Sequence, residues 1–392
     1  MSPARYGIGL ERLGPLPAFM AHGEEAVVPI AAPTGDMVWL VRDYELGRLV
    51  LTDKRFSRAE AVKPHVPKFN DAQPVPDSMM SMDGAEHARL RRVVTGAFTG
   101  RRMAALAPAI ERMADERLDR LVEAGPPGDL VEELALPLPR AVLCSLLGVP
   151  AQDGDRFRDL VEVLFDITAS TPKEKSRRRV ELVDYMAGLL ERKRERPEDD
   201  LLTAMIRVHD QGEMSMAELV TMGLTLLMAG YETTVGQIGL SALALLSDPD
   251  AYKELRGRPE ALPSAVEEFL RLTPATPVSF TRVAVEPVPL DGVTIAAGEA
   301  VVVSLLHGNR DGKVFAEPEH LVPEGRDAVH LTFGHGVHRC LGAPLAKLQV
   351  QIVLERLLRR FPELRPAAGA PEPVVWKDGL LTRGLSRLLV EW

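Results

Sequence analysis

Three observations predict a mainly α protein with a minor β component. Apolar residues recur at helical spacing through most of the stretch from Glu86 to Arg360. Strand-like runs are short and gather near 25–60, 280–330 and 362–392. The chain shows neither a regular strand–helix alternation nor an internal repeat. With 392 residues it can bury a large core without disulfides. Its two cysteines, Cys144 and Cys340, are too few for a disulfide framework, an all-cysteine zinc site or a cysteine-ligated iron–sulfur cluster. A formal net charge of −9 argues against a nucleic-acid partner but leaves room for a local basic face.

The elements follow in chain order. Met37–Val41 reads as a strand and Asp43–Leu51 as a helix. From Ala61 to Asp83 the prolines Pro64, Pro67, Pro74 and Pro76 break periodicity and predict a long loop of the kind that is functional or disordered. It leads into Met79, Met80 and Met82, adaptable side chains suited to a pocket wall. Helices are then expected over Glu86–Phe98, Arg102–Ala124, Pro139–Leu147, Asp153–Asp166 and Lys175–Arg194. The charge block Glu191–Asp200 reads as a solvated helix end and turn.

Ser215 and Glu218 form a capping box for a long helix that Ser247-Asp248-Pro249 stops. Its stretch Leu219–Leu246 carries one charge, Glu232, and is long enough to cross a bilayer. A carboxylate near its middle, no second such segment and no basic anchors predict instead a buried helix of a soluble, cytoplasmic protein. The first nineteen residues also lack an apolar core of signal-peptide type. Ser264 and Glu267 suggest another capping box, before the helix carrying Val266–Leu272 that Pro274 ends. Short strands are expected in Val283–Leu290, Gly292–Ile295 and Ala300–Leu306. A last helix runs from near Ala343, with Pro344 in its first turn, to about Arg360, and short strands follow to Trp392.

The strongest chemical signal is Phe333–Gly342, FGHGVHRCLG. Its three glycines permit positive φ or close backbone approach. Cys340 ends this loop where a helix begins, and helix-start amides stabilise a thiolate. Taken alone, the residue could be a nucleophile, an axial ligand to haem iron, or an inert buried cysteine.

The complete string resembles the haem-binding signature of the cytochrome P450 monooxygenases, FxxGxxxCxG. Phe333, Gly336, Cys340 and Gly342 fill every fixed place and His338 a common one. Pro344 and Gln349 depart mildly from the residues that usually follow. Three further elements are similar to the same family. Ala229-Gly230-Tyr231-Glu232-Thr233-Thr234 resembles its acid–alcohol kink, Glu268–Arg271 its ExxR motif, and His87 with Arg91 its HxxxR motif.

The resemblance implies one large helical domain over residues 1–392 around a buried haem b, iron protoporphyrin IX. Cys340 would be the axial thiolate and metal ligand, shielded by Phe333, with Gly342 closing the loop. Gly230 would leave room at the iron, while Glu232 and Thr233 would be catalytic and deliver protons. His87, Arg91, Arg282 and His338 would bind the haem carboxylates. Glu268 and Arg271 would be structural. By position, Met79, Met80, Ser81, Leu226, Leu227, Ala229, Val278, Ser279, Phe280, Leu380 and Leu381 would line the substrate pocket, and Asp153–Arg179 would form a lid.

The implied reaction puts one atom of dioxygen into a small apolar or amphipathic organic substrate. Electrons would come from a ferredoxin and its NAD(P)H-dependent reductase, docking on a basic face of Arg92, Arg101, Arg102, Arg339 and Lys347. No nucleic acid or membrane is implied as a partner. Composition and the segment around Met79 look most like secondary-metabolite tailoring enzymes, with hydroxylation or oxidative coupling of an antibiotic, macrolide or cyclic dipeptide. A catabolic or xenobiotic-oxidising enzyme is the alternative. A non-catalytic haem carrier or sensor is a third reading, against which the intact Glu232-Thr233 pair argues.

Overall fold

The computed structural model describes residues 6–7, 14, 25–69, 77–150, 153, 171–378 and 382–392. Among them the helices are α1 (Tyr44–Thr52), α2 (Gly84–Thr95), α3 (Gly100–Ala124), α4 (Pro137–Leu147), α5 (Pro172–Glu195), α6 (Leu201–Asp210), α7 (Met216–Leu246), α8 (Pro249–Gly257), α9 (Leu262–Leu272), α10 (Leu305–Gly308) and α11 (Ala343–Arg360). Side-chain caps set several starts. Asp43, Thr99, Thr171, Asp200 and Asp248 each accept an amide of the following turn. The Ser215–Glu218 capping box is fully formed.

Three of these helices, α6, α8 and α10, were not expected. Asp200 ends the charge block that reads as a turn, but it also caps α6. Asp248-Pro249 both stops α7 and starts α8, with the proline in the first turn where its missing N–H is harmless. One expected cap is absent. Helix α9 begins at Leu262 without a side-chain cap, so Ser264 already lies inside it. Glu267 instead receives Lys347 Nζ at 2.7 Å and approaches His330 Nε2 at 3.1 Å. Of the expected helix Asp153–Asp166, all but Asp153 lies outside the described residues, as does 154–170 of the lid.

A five-stranded sheet joins β2 (Val27–Ala31), β3 (Met37–Val41), β4 (Phe56–Ser57), β6 (Arg282–Ala284) and β9 (Ala300–Val303) in the order β2-β3-β9-β6-β4. Only its β3/β9 pair is parallel. Strand alternation distributes its side chains to two apolar clusters. Trp39, Val41, Val301 and Val303 pack on one face, and Val38, Leu40, Ala300 and Val302 on the other. The expected strand Ala300–Leu306 stops at Val303 and turns into α10. A hairpin links β7 (Val288–Leu290) to β8 (Val293–Ile295). Near the C-terminus, β13 (Leu385–Glu391) pairs β11 (Arg365–Pro366), β12 (Val374–Trp376) and β5 (Gly128–Asp129). A short ladder pairs β1 (Tyr6–Gly7) with β10 (His320–Leu321).

The largest core is helical and centres on α7, which packs against α4, α5 and α11. From Tyr231 to Leu246 every residue of α7 but Thr233 is buried. Its apolar run therefore reflects burial on all sides within protein. No described helix is long and apolar enough to cross a membrane.

Candidate active site

The cysteine loop is built from two directions. Cys340 N–H donates to Phe333 O at 2.8 Å, which closes the loop on itself. A short 3-10 turn, Gly336–His338, sits inside it. Gly336 has φ +73, and a Cβ there would lie 2.9 Å from Thr52 Cγ2 and 3.1 Å from Leu51 O. The end of α1 thus presses on this position, and both demands require glycine. Cys340 stands just before α11. Its thiol is accessible yet deep in the molecule. Burial pushes its pKa up, while the amides of Gly342 and Ala343 and the charges of Arg339 and Arg91 pull the other way. Phe333 packs beside the loop with Lys347 Nζ 5.6 Å from its ring centroid.

A cationic cluster forms around Asp83. His87 on α2 stacks on His338 of the loop, ring centroids 4.1 Å apart. His338 Nε2 lies 3.6 Å from Asp83 Oδ1, beyond hydrogen-bond length. Burial opposes the Asp83 carboxylate, but His338, Ser57 and the amides of Ala59 and Arg58 outweigh it and hold its pKa well below the usual range. Arg91 Nη2 donates to Arg339 O at 2.6 Å and so ties α2 to the cysteine loop. Arg282 donates to Phe56 O and Leu51 O, both at 3.1 Å. Arg58, absent from the sequence-based candidates, joins them. It is 3 % exposed. It donates to Met80 O at 3.0 Å and to Thr281 O, and lies 5.0 Å over the Phe280 ring. Burial lowers Arg58 to about 9, helped by repulsion from Arg282, and lowers Arg282 to about 10. Burial, then His338, lowers His87 to about 4.

Three buried polar atoms in this cluster have no hydrogen-bond partner: Arg58 Nη2, Arg282 Nε and His338 Nε2. Each such buried atom costs about 1–3 kcal/mol if left unpaired. A bound group bearing carboxylates would satisfy them, and a soft thiolate beside helix-start amides suits iron. The residues present therefore fit a haem.

Glu268 and Arg271 are both nearly fully buried and paired, with Nε 2.7 Å from Oε1 and Nη2 2.9 Å from Oε2. Arg271 also donates to Asn309 O, Pro318 O and His320 O, and Arg326 Nε reaches Glu268 at 2.9 Å. The pair thus staples α9 to the segment leading toward the cysteine loop.

On α7, residues 229–234 are helical throughout. Thr233 Oγ1 donates to Ala229 O at 2.8 Å, the helical back-bond open to a threonine. Glu232 is buried and paired with Lys377 Nζ at 2.7 Å. Gly230 has a packing reason of its own, because a Cβ there would meet Leu143 Cδ2 of α4 at 2.9 Å.

The expected pocket residues divide. Ala229 and Phe280 are exposed, and Met80, Leu226 and Ser279 are half-buried. Met79, Leu227 and Val278 are buried in apolar clusters. Ser81 is buried, and its Oγ has no hydrogen-bond partner. Leu380 and Leu381 lie outside the described residues. Arg58 and Lys377 escaped sequence reasoning, because nothing local to either marks a partner distant in sequence.

The chain belongs to the cytochrome P450 family, whose model matches residues 30–257 and 260–385. It is 41 % identical over 373 residues to nocardicin C N-oxygenase of Nocardia uniformis subsp. tsuyamanensis, covering 95 % of this chain and 94 % of that one. It is 41 % identical to mycinamicin IV hydroxylase/epoxidase of Micromonospora griseorubida, covering 94 % and 93 %. Among solved structures it resembles cytochrome P450mel 107F1 with biaryl coupling reactivity, with a TM-score of 0.90, 34 % identity and coverage of 99 % and 98 %.

Proposed function

We propose that this P450 is a tailoring monooxygenase of secondary metabolism. It would hydroxylate or oxidatively couple a small apolar or amphipathic molecule such as an antibiotic, macrolide or cyclic dipeptide. Cys340 carries the reading: its accessible thiol faces the amides of Gly342 and Ala343 at the start of α11. The named activities of the relatives, on nocardicin and mycinamicin, support the substrate class.

The haem would be haem b, ligated by Cys340 and held through its carboxylates by His87, Arg91, Arg282 and His338, with Arg58 added from the geometry. Bound there, its iron would supply reductive activation of dioxygen. The chain's own residues do the rest. The loop amides temper the charge on the sulfur. Phe333 excludes water from it. The Thr233 hydroxyl can donate and accept, and so can hold a proton at Oγ1 on its way from Glu232. Glu268 and Arg271 keep α9 and the loop-bearing segment in register. Two electrons per turnover would come from a ferredoxin and its NAD(P)H-dependent reductase.

The test is the absorption spectrum of the reduced, carbon-monoxide-bound protein, wild type against Cys340→Ser. The wild type should show the thiolate-ligated band and the variant should lose it. A variant that kept the band would disprove Cys340 as ligand.

A further inference from the structure

Glu232 sits 2 % exposed on α7 beside the residue read as its proton acceptor. Its Oε1 accepts a hydrogen bond from Lys377 Nζ at 2.7 Å, across 145 residues of chain. Lys377 follows directly on β12, and its N–H donates to Gly384 O at 3.0 Å.

Backbone contact between glycines sets this geometry. A Cβ on Gly236 would lie 2.5 Å from Arg383 O, and one on Gly384 would lie 3.3 Å from Gly236 Cα and 3.7 Å from Lys377 Cδ. The C-terminal segment therefore rests on α7 one turn beyond Glu232, and the Lys377 stem runs over Gly384 to the acid. Lys377 keeps 14 % of its side chain exposed, against 3 % for Glu232. Its apolar stem packs along Gly384 and its charge is held at the acid.

A buried ion pair is a weak source of net stability, since apolar packing of similar volume often serves as well. Its use here is positional. We propose that Lys377 is a positioning residue for proton delivery, fixing the Glu232 carboxylate on α7 and forming its contact toward solvent. The proposal rests on the reading of Glu232 as the proton link to Thr233. The ammonium attracts the charged carboxylate most strongly in this water-poor setting. A proton taken up by Glu232 weakens that attraction, so the acid passes the proton on and returns to the pair.

The test uses purified haem-loaded protein with a surrogate [2Fe–2S] ferredoxin, ferredoxin–NADP+ reductase and NADPH in air. One NADPH and one proton reduce dioxygen to hydrogen peroxide, whereas two NADPH and two protons reduce it to two waters. Lys377→Met should raise the peroxide share by about threefold or more, with NADPH consumed per dioxygen falling toward one. Lys377→Arg should restore the wild-type partition. Lys377→Met in a Glu232→Gln background should add nothing, because the lysine acts through the acid. If Lys377→Met fails to retain haem, Lys377→Gln carries the same expectations. An unchanged partition in a haem-loaded Lys377 variant, failure of the arginine to rescue, or an additive double variant would overturn the proposal. An unchanged partition in Glu232→Gln alone would instead overturn the proton link itself.

Discussion

At the scale of single residues, two glycines on α7 make opposite predictions from similar-looking constraints. Replacing glycine by alanine in a helix interior gains about 1 kcal/mol of propensity. A Cβ on Gly230 would press on Leu143 Cδ2 at 2.9 Å, the far end of a side chain that can turn away. Overpacking of that kind costs about 1–3 kcal/mol, so the two effects nearly offset. A Cβ on Gly236 would strike the Arg383 backbone oxygen at 2.5 Å, and buried backbone cannot yield in the same way. Gly230→Ala should leave the thermal midpoint within a few degrees of wild type. Gly236→Ala should lower it more steeply and loosen the C-terminal segment. Equal midpoints for the two variants would show that the C-terminal segment does not rest on α7 as described. Neither clash can be read from the residues around Gly230 or Gly236, because each depends on a partner brought from another part of the chain.

At the scale of elements, the short helix α10 carries a built-in acid sensitivity. His307 is its last-turn histidine, and its Nδ1 lies 2.7 Å from Ser304 Oγ. Burial, then repulsion from Arg42 and Arg310, lowers its pKa to about 4. An unfolded histidine titrates near about 6.5. Between those values the unfolded chain binds the extra proton and the folded one does not. The contribution of this group to stability therefore falls as pH drops from about 6.5 to about 4, and levels off below. Denaturant midpoints at pH 7 and pH 5 should differ less in His307→Gln than in wild type. An identical difference in both would remove His307 as the cause. Element boundaries show what was legible beforehand. Periodicity and caps located α7 and α11 well, since their signals are local: Ser215 and Glu218 at one start, Pro344 at the other. Helices α6 and α8 are hidden in the sequence because their capping aspartates also end the preceding charge block or helix. The false capping box at Ser264 failed for a tertiary reason, the claim of His330 and Lys347 on Glu267. At the site, the cysteine loop was legible as a contiguous string, while Arg58 and Lys377 became visible only when the fold brought distant segments together.

At the scale of the molecule, the net charge of −9 hides a local asymmetry that bears on electron delivery. Arg91 binds the cysteine loop through Arg339 O, so α2 lies against the side of the loop where Cys340 precedes α11. Arg92, next along α2, is exposed, and so are Arg101 and Arg102 at the start of α3. Lys347 departs from the expected basic face, because Glu267 neutralises it at 2.6 Å. An acidic ferredoxin would meet arginines here that reach it across solvent. Such attraction is screened over about 8 Å at physiological salt. The rate of ferredoxin-driven reduction should therefore fall as ionic strength rises, an effect on encounter more than on the bound complex. Arg101→Glu/Arg102→Glu should raise the ferredoxin concentration needed for half-maximal reduction and flatten its salt dependence. Lys347→Gln/Glu267→Gln should leave the salt slope of wild type, since the pair is neutral as a whole. The measurement is the initial reduction rate of the haem-loaded protein at several salt concentrations, with the carbon-monoxide spectrum as a check on the site. A charge-reversed variant with the wild-type slope would move the docking face elsewhere on the molecule, away from the end where α2 and the cysteine loop meet.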